Sequence, residues 1–563
     1  MAPKISRNRK RQFVFRRHQT IGAADAQEDT KYLQSCFVDV GDLEVLEDMS
    51  DPKCIVLGRT GSGKTALLEM LNQKNSRTVK VSPDNLALTF LSNNAAIRFY
   101  LDAGINMQLF FRVLWKHVFI VELLKLHFDI YDVERQNRFL ETLKSLKINR
   151  KSAQAAREYL VRHGETFLKE TDYRIKELTT TLEKRLNKAT HIVGKAHAPH
   201  LMSAELNHNY ETAKNLTEEE KAEIVRLGQP VVDQQQMSEL NEVMVLLKAH
   251  LLTDPKKSYF ISIDRLDEDW IHDDLRYKLI RALFETVRDF NKTFRDTGRN
   301  RRYSCAKIVI AIRQDLLERM FRRTRYPGDQ EEKYASLYLK LFWGEKALTE
   351  LVDLRVNQLI REKYTNESVS LKAILPRQID KQNPVGFIID RTMHAPRDII
   401  HFFNLCIAEA EGKARIDAAM LYKAEATYSK DRLRALADEW SADYRNLIEI
   451  IKLLRNQRRA FTLDSFDKKR FSDLALDFLI VYEQEPNAQD YLYKLVEEKI
   501  GTDELIFDLI KLYYRVGAVG INMPGIDGVY WSFQGDSVYD AEIDKHQKYH
   551  IHPGFWRVLG INT

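Results

Sequence analysis

Residues 54–71 read CIVLGRTGSGKTALLEML, and the fold is decided there. An apolar run, CIVL, gives way to a complete G-x-x-x-x-G-K-[ST] pattern, which opens directly onto the helical run ALLEML. Strand, glycine turn and helix in that order gather backbone N–H groups at a helix N-terminus, where the dipole favours an anion. The pattern is that of a Walker A loop, so Gly58, Arg59, Thr60, Gly61, Ser62, Gly63, Lys64 and Thr65 are the candidate nucleotide-binding residues. Lys64 offers a point charge to the β and γ phosphates, and the Thr65 hydroxyl is a candidate Mg²⁺ ligand.

A second segment answers the first. Residues 259–269, YFISIDRLDED, form an apolar run that ends in acids, as a Walker B strand does. Asp264 is the candidate metal residue, held to Mg²⁺ directly or through its water. Hydrolysis also needs a group that orients water; Asp267 is the first candidate and Glu268 the second. A third apolar run, residues 307–312 (KIVIAI), delivers Arg313 at its end, where strand termini converge on a ligand in such sheets. Arg313 is thus a candidate γ-phosphate sensor. Arg397, in HAPRDII at residues 394–400, is another, because Pro396 fixes the chain at a helix start.

Working outward, weaker strand signals lie at residues 78–81 and 337–342, so about five strands are expected in a parallel sheet. Residues 83–250 are rich in Leu, Lys, Glu and Arg with apolar residues at helical spacing, and read as a helical insertion. Within it, Ile175, Leu178, Leu182 and Leu186 mark one amphipathic helix, and Thr217 with Glu220 makes a capping box. The expected organisation is a basic flexible tail over 1–20, a P-loop ATPase domain over 21–345, a helical domain over 346–428, and a winged-helix-like domain over 429–563. An interruption of the helices is expected near Pro384 and Gly386. In the last domain a helix over 503–516 precedes short strands at 518–523 and 529–533 joined by PGIDG. That helix carries Asp503, Glu504 and Asp508 against Lys511 and Arg515, a poor surface for DNA.

Composition sets the outer limits. The chain has 563 residues and a formal charge of +6; residues 1–18 alone hold seven Lys and Arg and no acid, leaving −1 on the rest. The basic excess belongs to the tail, so nucleic acid is a possible but not favoured partner. No run approaches the roughly 18–20 apolar residues that cross a bilayer, which predicts a cytoplasmic protein with no membrane partner. Cys36, Cys54, Cys305 and Cys406 are scattered, with neither disulfide framework nor zinc spacing. His191, His197 and His200 lack a completing carboxylate or thiolate, so no metal beyond Mg²⁺ is expected. Arg319, Arg322, Arg323 and Arg325 could give a neighbouring subunit an arginine finger, although a solvated basic face explains them as well.

With GRTGSGKT, IDRLDED, IAIRQDL and APRDI in place, the chain resembles the STAND and KAP branch of P-loop ATPases; Asp264 to Glu268 looks like the D-G-x-D-E signature of NACHT-type switches. It is similar, more closely, to a bacterial family of stand-alone P-loop ATPases sharing a GAADAQED-like opening (22–29), a GDQEEKY segment (328–334) and a terminal HPGFW (552–556). It departs from the STAND pattern at Arg265, where a small residue would stand, and in lacking sensor repeats. The resemblance implies ATP and Mg²⁺ as cofactors, switch-like behaviour, a protein partner or homo-oligomer, and a place in bacterial antiviral defence or signalling. Three functions follow as expectations: an ATP-hydrolysing molecular switch, a nucleotide-locked scaffold with negligible turnover, and a DNA-engaged ATPase. ATP rather than GTP is expected, since no N-K-x-D guanine signature is evident.

Overall fold

The computed structural model describes residues 13–81, 91, 94–130, 133–145, 154, 158, 171–190, 213, 216–233, 237–248, 252, 254, 256–266, 273–295, 306–324, 331–364, 368–441, 443–444, 446–473, 476, 501–523, 525, 528–534 and 542–561. The chain divides into two compact units. One comprises Gly41–Gly58 and Lys64–Leu341; the other comprises Met1–Val40, Arg59–Gly63 and Phe342–Thr563.

In the first unit the apolar runs become β1 (Ile55–Gly58), β2 (Thr78–Val81), β3 (Tyr259–Ile263), β4 (Ala306–Arg313) and β5 (Tyr338–Lys340). They form one parallel sheet in the order β2-β3-β4-β1-β5. β1 and β3 are buried along their whole length and β4 up to Arg313, as expected where helices cover both faces. The result is the α/β class expected of a P-loop-like fold. β4 lies between β1 and β3, an order that no local pattern announces.

The helix Gln108–Phe128 is apolar on nearly every side and is accordingly buried. It packs on Asp273–Arg295: Trp115 donates from Nε1 to the Leu279 carbonyl at 3.0 Å, and the Phe119 and Phe290 rings meet edge to face at 5.7 Å. From that second helix, Asn291 bonds both backbone groups of Ile308 in β4, at 2.9 Å each. In the insertion, Ile175, Leu182 and Leu186 are buried along Thr171–Thr190. The capping box also forms, with Thr217 N–H to Glu220 at 2.8 Å and Glu220 N–H to the Thr217 hydroxyl at 3.2 Å.

In the second unit, helices Glu345–Lys363, Pro384–Arg391, Pro396–Glu409 and Ala418–Glu439 share a core that takes in Phe15 and Ile21. Residues 13–20 are therefore not tail, although their charge suggests it: Phe15 is fully buried, and its N–H and carbonyl bond Lys413 and Gly412. The GAADAQED-like opening is a structural latch. Arg355 meets the Asp29 carboxylate at 2.6 Å and the Ile21 carbonyl at 3.0 Å in a buried pocket. Gly22, at φ +125°, is required there, since a Cβ would lie 2.1 Å from the Arg355 guanidinium. Pro384 does not interrupt a helix but starts one, with Asn383 capping it by accepting from Val385 N–H at 2.9 Å.

The same unit ends in a second core around helices Leu447–Lys452 and Thr502–Val516 and an antiparallel sheet, order β6-β8-β7, of β6 (Ala460–Phe461), β7 (Val519–Ile521) and β8 (Tyr549–Ile551). The strand expected over 529–533 reduces to one bridge, Ile521 with Tyr530. The ladder partner of β7 is instead β8, whose Tyr549 and Ile551 are buried where Trp531 and Phe533 are not. The HPGFW segment closes this core. His552 caps the turn through Nδ1 to Gly554 N–H at 3.1 Å, and a Cβ on Gly554 would lie 2.5 Å from the Arg391 carbonyl.

Candidate phosphate-binding site

Because β1, β3 and β4 run parallel, their carboxyl ends share one edge of the sheet. Gly58 ends β1 opposite Arg313 of β4, and Asp264 follows the last residue of β3 directly. Lys64 and Thr65 begin the helix Lys64–Lys74, both half-buried. The Lys64 ammonium donates back to the Gly58 carbonyl at 3.0 Å, spanning the base of the glycine turn.

Asp264 is 4% exposed. Its Oδ1 accepts from Arg265 N–H at 2.9 Å, and its Oδ2 is buried with no hydrogen-bond partner among the described residues. A buried carboxylate oxygen without a partner costs free energy unless a cation or donor meets it, so this residue fits a Mg²⁺ ligand or a holder of its water. Arg265, where the STAND pattern has a small residue, adopts φ +58°, a left-handed backbone that glycine would take without strain. Asp267 and Glu268 lie outside the described residues, as do His191, His197, His200 and Arg325.

Arg313 is tied to the first turn of the helix that follows it, Gln314–Arg323. It makes a two-pronged pair with Asp315, Nε to Oδ1 at 2.9 Å and Nη2 to Oδ2 at 2.8 Å, and Arg319 joins the same carboxylate. Burial pushes the Asp315 carboxyl up, but the two guanidinium groups outweigh it and hold it below the ordinary value. Arg319 is thus a buried structural cation rather than an exposed finger, and Arg323 sits over the Tyr277 ring at 5.2 Å.

The crown of the loop, Arg59–Gly63, groups with the second unit. Gly61 and Gly63 take φ +79° and +95°. Arg397 N–H meets the Gly61 carbonyl at 3.3 Å, and a Cβ on Gly61 would lie 2.8 Å from Arg397 Cβ. Trp343 Nε1 donates to the Ser62 carbonyl at 2.8 Å. The hydroxyls of Thr60 and Ser62 are buried with no partner among the described residues. Arg397 itself donates from Nε to the Ala24 carbonyl at 3.1 Å.

Arg59 is anchored at both ends of its guanidinium. Nη2 donates to the Val516 carbonyl at 3.0 Å, in the last turn of the helix Thr502–Val516, and Nε stands 3.8 Å from Glu439. Glu439 continues to Arg432 at 3.2 Å, and Arg432 to Asp398 at 3.1 Å, next to Arg397 in sequence. Burial opposes charge on Arg432, but Asp398 and Glu439 outweigh it and raise its pKa. His552 is driven well below its usual value by burial first, then by His394, Arg432, Arg59 and Arg391. Trp343, Glu439 and Arg432 escaped the sequence reading: they sit hundreds of residues from the loop and match no motif.

Comparison with known proteins adds three likenesses. Residues 346–437 match the family described as the FunZ-associated C-terminal helical domain. Over 559 residues the chain is 19% identical to the putative transposon gamma-delta 80.3 kDa protein of Escherichia coli K12, covering 96% of this chain and 67% of that one. Among solved structures, a Walker-type ATPase of Pyrococcus abyssi aligns at 12% identity and a TM-score of 0.34, covering 93% of this chain and 96% of that one. Among the described residues, no helix is long and apolar enough to cross a membrane.

Proposed function

We propose that this chain binds ATP with Mg²⁺ at residues 58–65, hydrolyses it, and acts as a molecular switch. The observation that carries the reading is the buried oxygen of Asp264 beyond β3, without a partner among the described residues, in a parallel sheet whose β1 runs into the glycine loop. Lys64 exchanges the Gly58 carbonyl for phosphate oxygens. Thr65 and Asp264 hold the metal, which when bound neutralises charge on the β and γ phosphates. Arg313, pre-oriented by Asp315, reports the γ phosphate, and Arg397 beside Gly61 is the second reporter. Asp267 or Glu268 orients the attacking water.

The switch is read out through the crown. Any change in the backbone of Arg59–Gly63 loads the contacts of Arg59 with Val516 and Glu439, and through Glu439 the buried pairs with Arg432 and Asp398. Such discrete, fully packed ion pairs have few intermediate arrangements, which suits a two-state element. In this reading the C-terminal unit is winged-helix-like, supported by the order helix, β6, helix, β7, β8 with β8 central in its sheet. The setting is the cytoplasm, in a defence or signalling complex with a protein partner or further copies of the chain.

The test is a calorimetric titration of ATP with and without magnesium on the wild type and Asp264→Asn. The wild type should bind in a magnesium-dependent manner, and the variant should keep binding while losing that dependence. Absence of any heat from well-folded wild type would overturn the reading.

A further inference from the structure

We infer that the C-terminal unit carries a second polyanion surface, built from residues 452–470, that takes the phosphate backbone of duplex nucleic acid. It shares no residue with the nucleotide loop or with the basic run at residues 1–18. The stretch holds seven cations (Lys452, Arg455, Arg458, Arg459, Lys468, Lys469, Arg470) against two acids, Asp464 and Asp467, in a chain that beyond residue 18 carries −1 in all.

The fold turns this run into one face. Residues 453–459 form the turn before β6, and a helical turn begins at Lys468. The two are stitched together by the buried amide of Gln457, which accepts from Asp467 N–H at 3.1 Å and donates to the Asp467 carbonyl at 3.3 Å. Asn456, at φ +56°, adds a second stitch: its amide oxygen accepts from Arg470 while its nitrogen donates to the Gly560 carbonyl at 2.9 Å. Two cationic clusters separated in sequence are thereby fixed side by side.

Three of the seven cations on this face, Arg455, Arg458 and Lys469, are exposed and have no side-chain partner among the described residues. Lys468 pairs with Asp503 at 2.8 Å, Lys452 reaches Glu449 only at 3.9 Å, and Arg459 lies over the Trp556 ring at 4.4 Å. Both acids of the stretch are exposed, and Asp467 Oδ1 accepts from Arg470 N–H at 3.1 Å.

The chemistry of the face selects among polyanions. Arginine forks match phosphate in two-pronged geometry, and fixed cations held a few residues apart suit a regular line of phosphates. Phe461, Phe466 and Phe471 are buried, so the rings of this stretch are withdrawn from base stacking. The helix Thr502–Val516 is packed over most of its surface and exposes Asp503 and Glu504, so contact is with the backbone and carries no base readout.

The test uses the full chain, wild type and Arg455→Glu/Arg458→Glu/Lys469→Glu, with a labelled 20-bp duplex in fluorescence anisotropy across a salt series. The triple variant should bind at least about 10-fold more weakly at 100 mM salt, with the salt slope reduced by about three. Its melting temperature and ATP-induced stabilisation should match the wild type, which separates loss of the face from misfolding or failure of the nucleotide reading. The milder Arg455→Gln/Arg458→Gln/Lys469→Gln should fall between the two. Unchanged DNA affinity in both variants overturns the inference, as does a selective loss of binding to vesicles containing phosphatidylserine with DNA binding intact.

Discussion

The two parts of the glycine loop are held by different means. Its ends, Gly58 and Lys64, belong to the unit built on the parallel sheet, where β1 and the helix Lys64–Lys74 fix them by backbone pairing and apolar burial. Its crown, Arg59–Gly63, is grouped with residues from the far end of the chain. There it is held by polar contacts: Trp343 on Ser62, Arg397 on Gly61, and Glu439 and Val516 on Arg59. Apolar packing against a sheet is non-directional and hard to rearrange, whereas a buried ion pair is directional and either made or broken. Under the proposed function, the comparison assigns binding to the ends of the loop and response to its crown.

The sharpest way to break that division is at Lys64. Lys64→Ala should weaken ATP binding by about 100-fold or more, since a charge-assisted contact to phosphate is removed, while the melting temperature without nucleotide stays near that of the wild type. A nucleotide-free melting temperature that falls steeply would mean that Lys64 serves the fold instead.

At the crown the expected pattern is reversed. Arg432→Met strands Asp398 and Glu439 in a buried site, and should cost about 3–5 kcal/mol of stability in denaturant unfolding. Retention of full stability would show that those carboxylates find other partners and that the ion-pair chain is not a unit.

A smaller effect comes from pH. His552 takes a proton less readily in the folded chain than in the unfolded one, where its value is ordinary, about 6.5. The unfolded chain therefore gains the proton first on acidification. The stability contributed by the neutral ring is complete above that ordinary value and is lost as pH falls below it. Melting temperature should drop between pH 7.5 and 5, and His552→Gln should flatten part of that slope; identical slopes would remove His552 from the account.

Much of the sheet unit was legible. The run at 259–263 becomes a strand at those residues, because a buried parallel strand needs continuous apolar sequence and little else, and the weaker run at 78–81, buried only at Val81, becomes the edge strand β2. The glycine loop, Asp264 and the Thr217 capping box were readable because each depends on neighbours within a few residues. The expected strand at 529–533 failed for the opposite reason: alternation marks a strand candidate, but the partner of β7 was chosen by which segment could bury its side chains in the C-terminal core. Phe15 was hidden by the charges around it, since composition averages over the few residues that pack.

Sequence alone thus determined the strand, glycine turn and helix of residues 55–74, the acidic end of β3 and the class of sheet, since glycine conformation, helix-end charge and apolar runs act over short distances along the chain. Only the tertiary structure decided that β4 separates β1 from β3, that Asp264 keeps an oxygen unmet among the described residues, and that Arg59 answers to Glu439 and Val516. Those facts depend on which distant segments exclude water together, and burial of that kind is a property of the packed chain rather than of any stretch within it.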